Sequence, residues 1–250
     1  MPTIYLSPST QEWNPYVDGG TEEYYMNLVA DALEPYLHSS GIQWVRNTPD
    51  MTAASSIRQS NQGRYALHLA LHSNAAPEIE SGLRQGPEIY YSPGSEQGLQ
   101  AAQLIAEQLQ EIYPYPWLVR VLPTTSLGEV SKTRAPAVLV EFAYHDNAED
   151  AAWIRANISQ MAAAVARALT EYFGLPFVEP QPPQQGIVRV KNSYLNVRQR
   201  PDRSAPVVAK AWNQTPITVN GQWEGWYTVN YRGKVGFADG RYIQLQEPHT

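Results

Sequence analysis

The run Ala135-Pro-Ala-Val-Leu-Val-Glu-Phe-Ala-Tyr144 admits few folds. Its apolar residues do not alternate with polar ones, so a strand built from it has no face to give to water and must be covered on both sides. Central strands of parallel sheets, with helices over both faces, are the usual solution. The flanking sequence supplies the other layers. Segments 3–7, 42–47, 66–73 and 87–94 read as strands, and segments 21–41, 95–113 and 150–174 carry helical patterns. In the first helix Thr21 is the expected N-cap, followed by the acids Glu22 and Glu23. Tyr25, Leu28, Val29, Ala32, Leu33 and Tyr36 form its expected apolar stripe, and Gly41 its stop. The expected fold is α/β, a mostly parallel sheet flanked by helices.

That alternation ends at "FVEPQPPQQG", 177–186, whose three prolines favour an extended spacer over a helix. The expected division is a domain over 1–176, a Pro/Gln-rich linker over 177–185 and a second domain over 186–250. The second part consists of short alternating strands punctuated by "NG", "EG" and "RG" turns, which suits a small all-β barrel. Charge divides at the same place. Residues 1–185 hold 9 basic and 20 acidic side chains, net −11, whereas residues 186–250 hold 9 and 4, net +5. The acidic larger part argues against a nucleic-acid partner; the basic smaller part suits an anionic one. With no cysteine, disulfides and thiolate metal sites are excluded, and any metal must use His, carboxylate or amide oxygen. No apolar run of about 18 residues is present, so no membrane span is expected. "MPTIYLSPST" has neither the basic nor the apolar region of a secretory signal, which leaves release by lysis or a signal removed beforehand as routes to the outside.

Two of the five histidines, His68 and His72, lie in "RYALHLALHSNAA". On a helix they would share one face, as zinc-binding pairs do. The run is short, Leu-rich and follows Gly63, and it lacks the glutamate of the metalloprotease helix, so it reads as a strand. The two Cα atoms are then roughly 13 Å apart, and one metal cannot readily take both. His72, at the C-terminal end where open α/β sheets place their sites, is the candidate ligand, and His68 reads as structural. Glu141 ends the apolar "AVLV" run, where an unpaired carboxylate is costly and has little structural purpose.

Taken together, these residues resemble the zinc-dependent N-acetylmuramoyl-L-alanine amidases of the Amidase_3 type, over residues 1–175. The resemblance rests on Glu23 opening a helix with Asn27 four residues on, on "LHSNA" from His72 to Ala75, and on "PAVLVE" ending in Glu141 with Asn147 beyond. It implies zinc as cofactor, His72 and Glu23 as ligands and Glu141 as the catalytic acid/base. Glu129 is a candidate second carboxylate, with pairing to Lys132 or Arg134 as its alternative, and Asn74 and Arg134 are candidate substrate contacts. The family pattern also places a histidine in the turn after the first strand, where "LSPSTQEWN" has Thr10. Gln11, offering its amide oxygen, is the first-ranked replacement. His145, two residues plus waters, and a domain that binds without catalysing are the others.

Residues 186–246 resemble a bacterial SH3 (SH3b) domain through Asn196, Val197, Arg198 and Pro201 of "LNVRQRP" and through Gly225, Trp226 and Tyr227. The resemblance implies binding to peptidoglycan. Of Trp212, Trp223, Trp226, Tyr231 and Tyr242, most are expected in the core and one or two exposed. The implied function is cleavage of the amide bond between N-acetylmuramic acid and L-alanine at the cell wall, as an autolysin or endolysin. A non-catalytic wall-binding protein is the alternative.

Overall fold

In the computed structural model, residues 1–191 and 193–246 are described. They form two compact units, one from Thr3–Glu34 and Trp44–Phe173, the other from Met1–Pro2, Pro35–Gln43 and the chain from Gly174 onward.

The α/β part of the chain has strands β1 (Thr3–Pro8), β2 (Gln43–Arg46), β3 (Leu67–Asn74), β4 (Glu88–Tyr91), β5 (Arg120–Pro123) and β6 (Ala137–Tyr144). They make one sheet in the order β2-β1-β3-β6-β4-β5. The β1–β3, β3–β6 and β4–β5 pairs are parallel, and β4 runs antiparallel to β6. The helices are α1 (Glu22–Ser40), α2 (Ala53–Gln62), α3 (Glu96–Gln110), α4 (Gly128–Ser131), α5 (Ala148–Ala156) and α6 (Ile158–Phe173). The single helix expected over 150–174 is therefore two, broken at Asn157, whose backbone lies outside the helical region. Helix α2 was not expected. Its apolar content is low, and its start depends on a capping box between Thr52 and Ser55.

The two faces of this sheet differ in chemistry. Ile4, Leu6, Leu69, Leu71, Ile89, Val138, Val140 and Phe142 are all buried on one face. On the other, strand alternation and register bring Tyr5, Ser7, His68, Ala70, His72, Leu139, Glu141, Glu88 and Tyr90 together. Helix α4 covers part of this second face through Val130, which packs on Ala70 and Leu139.

The expected stripe of α1 is buried at Val29 and Leu33, but Tyr25, Leu28, Ala32 and Tyr36 are only partly covered, and Glu22, Met26, Ala30 and Leu37 are buried instead. Thr21 does cap the helix, its Oγ1 accepting from the Tyr24 amide at 3.2 Å.

The second unit contains strands β7 (Gln184–Val188), β8 (Tyr194–Arg198), β9 (Val207–Trp212), β10 (Pro216–Trp223), β11 (Trp226–Tyr231), β12 (Lys234–Asp239) and β13 (Ile243–Leu245). They form one antiparallel sheet in the order β13-β7-β10-β11-β12-β8-β9, an SH3-like arrangement. β7 takes up Gln184 and Gln185 from the stretch read as a spacer. The "EG" and "RG" turns join β10 to β11 and β11 to β12, with positive φ at Glu224, Gly225, Arg232 and Gly233, as two-residue type I′ hairpins require. "NG" is not a turn: Asn220 and Gly221 lie inside β10, at a register shift between Val219 and Gly221. That strand is paired on both sides, so the extra residue is absorbed as a bulge.

Candidate active site

His72 is 7% exposed near the C-terminal end of β3, and both its ring nitrogens face carboxylates. Nδ1 donates to Glu22 Oε1 at 2.7 Å and Nε2 to Glu129 Oε2 at 3.0 Å. Burial disfavours a charged ring, but the bonds to Glu129 and Glu22 raise its pKa well above the ordinary imidazole value.

Glu22, not Glu23, is the helix acid at this site. Adjacent helical positions point about 100° apart, and the buried stripe of α1 includes position 22. The Glu23 carboxylate instead accepts from Asn27 Nδ2 at 3.3 Å beside its own helix. Burial penalises charge on Glu22, yet His72, with help from Asn14 and Ser9, holds its carboxyl below the usual range. Asn14 Nδ2 donates to Glu22 Oε2 at 2.8 Å.

Glu129 is brought by α4 to the far side of the His72 ring and is 6% exposed. Its Oε1 accepts from the Ser7 hydroxyl and faces His68 Nε2 at 3.3 Å. One carboxylate thus spans the two histidines that strand spacing keeps apart. Burial would raise its pKa, but hydrogen bonds from His68 and His72 bring it down to about 2. Its two oxygens thus touch the Ser7 hydroxyl and both histidine rings. Neither Lys132 nor Arg134 pairs with it among the described residues. His68 is structural as expected: its Nδ1 lies 2.9 Å from Ser60 Oγ and its ring stacks on Tyr5.

Glu141 differs from its whole strand. Every other residue of β6 is buried, and Glu141 alone is partly exposed. Its Oε2 atom is nevertheless buried without a hydrogen-bond partner among the described residues. Desolvation pushes this carboxyl up to about 8; His72 pulls it down, while Glu22, Glu88 and Glu129 push it further up. Glu88 was not expected. It faces Glu141 across the β4–β6 ladder, is 4% exposed, and accepts from Asn74 Nδ2 at 3.0 Å and the Tyr144 hydroxyl at 3.1 Å, with Tyr90 and Arg120 also bonded to it. In the sequence it is one acid in a short strand, with nothing to announce that its register partner is Glu141.

Gln11 does reach the site. Its Nε2 lies 3.5 Å from both Glu22 Oε1 and His72 Nδ1. Besides Glu23, two of the expected residues lie elsewhere. His145 is 3% exposed, donates from Nδ1 to the Ser73 carbonyl at 2.8 Å and stacks on Tyr16, which fixes it away from His72. Arg134 is exposed at the opposite end of the sheet, before β6 begins, and binds the Asn61 carbonyl at 3.2 Å. Asn147, from the sequence motif, caps α5 by accepting from the amides of Glu149 and Asp150.

Among the described residues no three His, Asp or Glu side chains are arranged to hold a metal ion. The reason is visible at His72: Glu22 and Glu129 occupy opposite nitrogens of one ring. The mixed set of Gln11, Glu22 and His72 Nδ1 comes nearest, and would require Nδ1 to give up the proton it donates to Glu22. Their separations of 2.7 to 3.5 Å are close to the about 3.3 Å between ligands of a tetrahedral zinc with bonds near 2.0 Å. The Gln11 amide would have to present its oxygen, a half-turn from the orientation described. Glu129 on Nε2 is the outer carboxylate that metal-bound histidines commonly carry.

With a clamped histidine and a desolvated glutamate at the C-terminal ends of neighbouring parallel strands, the chain is an α/β protein with a candidate hydrolytic site. More particularly, it belongs to the N-acetylmuramoyl-L-alanine amidase family Amidase_3, whose model matches residues 11–171. A bacterial SH3 domain model matches residues 193–244. Among solved structures, the amidase AmiC2 of Nostoc punctiforme is similar at 18% identity and a TM-score of 0.59, over 69% of this chain and 97% of that one. The catalytic domain of the amidase CwlV from Bacillus (Paenibacillus) polymyxa var. colistinus aligns at 17% identity and 0.59, over 70% and 100%. The catalytic domain of the CD27L endolysin targeting Clostridia difficile aligns at 19% identity and 0.55, over 68% and 98%. At these identities the likeness is one of fold. No curated protein sequence matches the chain.

Proposed function

We propose that this protein hydrolyses the amide bond between N-acetylmuramic acid and L-alanine in peptidoglycan, and that it does so with zinc. The observation that carries the reading is Glu141, a partly exposed glutamate whose carboxyl is desolvated, partnerless at Oε2 and raised to about 8 beside His72. Such a group exchanges protons near neutral pH, which suits a general base that becomes a general acid. Gln11, Glu22 and His72 Nδ1 would hold the metal, two strong ligands and a weaker amide. When bound, zinc supplies polarisation of the scissile carbonyl and acidification of water. Glu141 takes a proton from the attacking water and returns it to the leaving nitrogen of L-alanine. Glu129 fixes the His72 ring, and Asn74, held by Glu88 opposite Glu141, is the contact for the peptide. The C-terminal SH3 domain holds the chain on the cell wall and raises the local concentration of its substrate. No described helix is long and apolar enough to cross a membrane.

The test is release of free L-alanine amino groups from purified peptidoglycan, with metal content measured on the same sample. Wild type is expected to carry zinc and to release them, and Glu141→Gln to keep its zinc and lose the activity. A wall-binding protein without catalysis is the second reading, favoured by the amide at position 11 and the two-carboxylate clamp on His72. Absence of both zinc and release from the wild type would establish it.

A further inference from the structure

Register places four side chains in one row across the α/β sheet. His72 on β3 pairs with Glu141 on β6, Glu141 with Glu88 on β4, and Glu88 with Arg120 on β5. Register partners share a face, so the row runs from the candidate metal ligand, past the desolvated carboxyl, to a guanidinium. Catalysis as derived above uses the first two and gives Arg120 no task.

The two ends of the row differ. At the His72 end Glu22 is 1% exposed, and α1 closes that side. At the other end β5 is the edge strand, and the Arg120 side chain is 50% exposed. A substrate lying on Glu141 therefore has room to continue toward β5. Asn74, the peptide contact proposed above, bonds to the same Glu88 as Arg120 does.

Charge and distance define what Arg120 would meet there. A guanidinium carries five N–H donors, and Glu88 takes one through Nη2 while also accepting from Asn74, Tyr90 and Tyr144. The half-exposed remainder suits a carboxylate, which guanidinium binds in a two-pronged fashion. Glu22, Glu88, Glu129 and Glu141 would repel an anionic substrate, and Arg120 is the permanent cation of the row that offsets them. Neighbouring strands lie about 4.8 Å apart, so the Arg120 guanidinium, drawn back onto Glu88, stands about 5–10 Å from Glu141. An extended peptide advances about 3.3–3.6 Å per residue, which puts a group on the residue after L-alanine roughly 7 Å from the scissile bond.

We propose that Arg120 binds a free carboxylate on the residue that follows L-alanine, and so selects muramoyl peptides that carry an acid there over those that carry its amide. This specificity role rests on the amidase reading of the same site. The competing role for Arg120 is support of the buried Glu88 alone, which would favour neither substrate.

The experiment uses the full chain and two soluble compounds: N-acetylmuramic acid joined to L-alanine and then glutamate with free carboxylates, and the same compound with those carboxylates as carboxamides. Cleavage is read as kcat/KM and binding by titration calorimetry. Wild type should favour the free carboxylate by about tenfold or more in both, the scale of one charge-assisted hydrogen bond. In Arg120→Gln the ratio should fall to near one. Arg120→Lys keeps the charge without the fork and should lie between, and it serves where the Gln variant leaves Glu88 too poorly paired to fold. A wild-type ratio near one, a ratio undiminished in the variants, or variants that weaken both compounds equally would each overturn the proposal. Preference in binding without cleavage of either compound sinks only the catalytic reading, and cleavage of both without preference sinks only this one.

Discussion

Glu129 and Glu141 stand twelve positions apart, on the same side of the same sheet, and each lies near His72. One carboxyl is drawn down to about 2 and the other pushed up to about 8. Burial alone does not separate them, since it penalises charge on both. Partners do. Glu129 receives hydrogen bonds from Ser7, His68 and His72, whereas Glu141 leaves an oxygen unpartnered and looks across at Glu88. A carboxylate with its lone pairs satisfied orients what it touches; one held short of partners is ready to exchange a proton.

The largest expected effect breaks the pair. Glu141→Gln should lower turnover by about 10²- to 10⁴-fold, the usual worth of a positioned acid/base, while Glu129→Gln should cost about 10- to 100-fold and act through metal affinity. Side-by-side kinetics and zinc titrations check this; equal losses through turnover alone would erase the distinction. Next is Gln11→His. An imidazole in place of an amide should tighten zinc binding, read by competition with a chromophoric chelator, and no gain would remove Gln11 from the ligand set.

Stability against pH sharpens the same contrast. The folded-state pKa of Glu141 lies above its unfolded value, so the native state binds more protons between about 4.5 and 8. Its contribution is full below that window and is lost as pH rises through it, with a slope of up to about 1.4 kcal/mol per pH unit. Glu129 has the opposite sign: its contribution is full above the ordinary glutamate range and is lost as pH falls toward about 2. Denaturant midpoints from pH 5 to 8 should therefore flatten in Glu141→Gln and keep their slope in Glu129→Gln. The smallest effect is expected at Glu23→Gln, within about 0.5 kcal/mol and without loss of activity, because that side chain lies off the buried stripe. A large loss of activity there would return Glu23 to the site.

Much of this was legible in the residues. The unbroken apolar run of β6 required a covered strand, the Pro/Gln stretch marked a change of texture, and the position of His72 late in its strand placed it at the site. The "EG" and "RG" hairpins followed from turn chemistry. Other features were not legible. Glu23 came from the family resemblance, whereas Glu22 lies on the buried stripe and bonds His72, and an amphipathic pattern rich in tyrosine does not say which edge is buried. "NG" was absorbed into β10 because pairing on both sides outweighed its turn preference.

Sequence by itself determined the residue types available, the period of each element and hence which side chains share a face. It also determined that chemistry here would use imidazole, carboxylate and amide, since no thiol exists. Tertiary structure alone decided which glutamate became which. Glu22, Glu88, Glu129 and Glu141 are the same side chain. Only the packing of α1 and α4 on the sheet and the register of β4 against β6 determined which would be hydrogen-bonded and which desolvated. A pKa is set by neighbours within a few ångströms, and those neighbours come from distant parts of the chain.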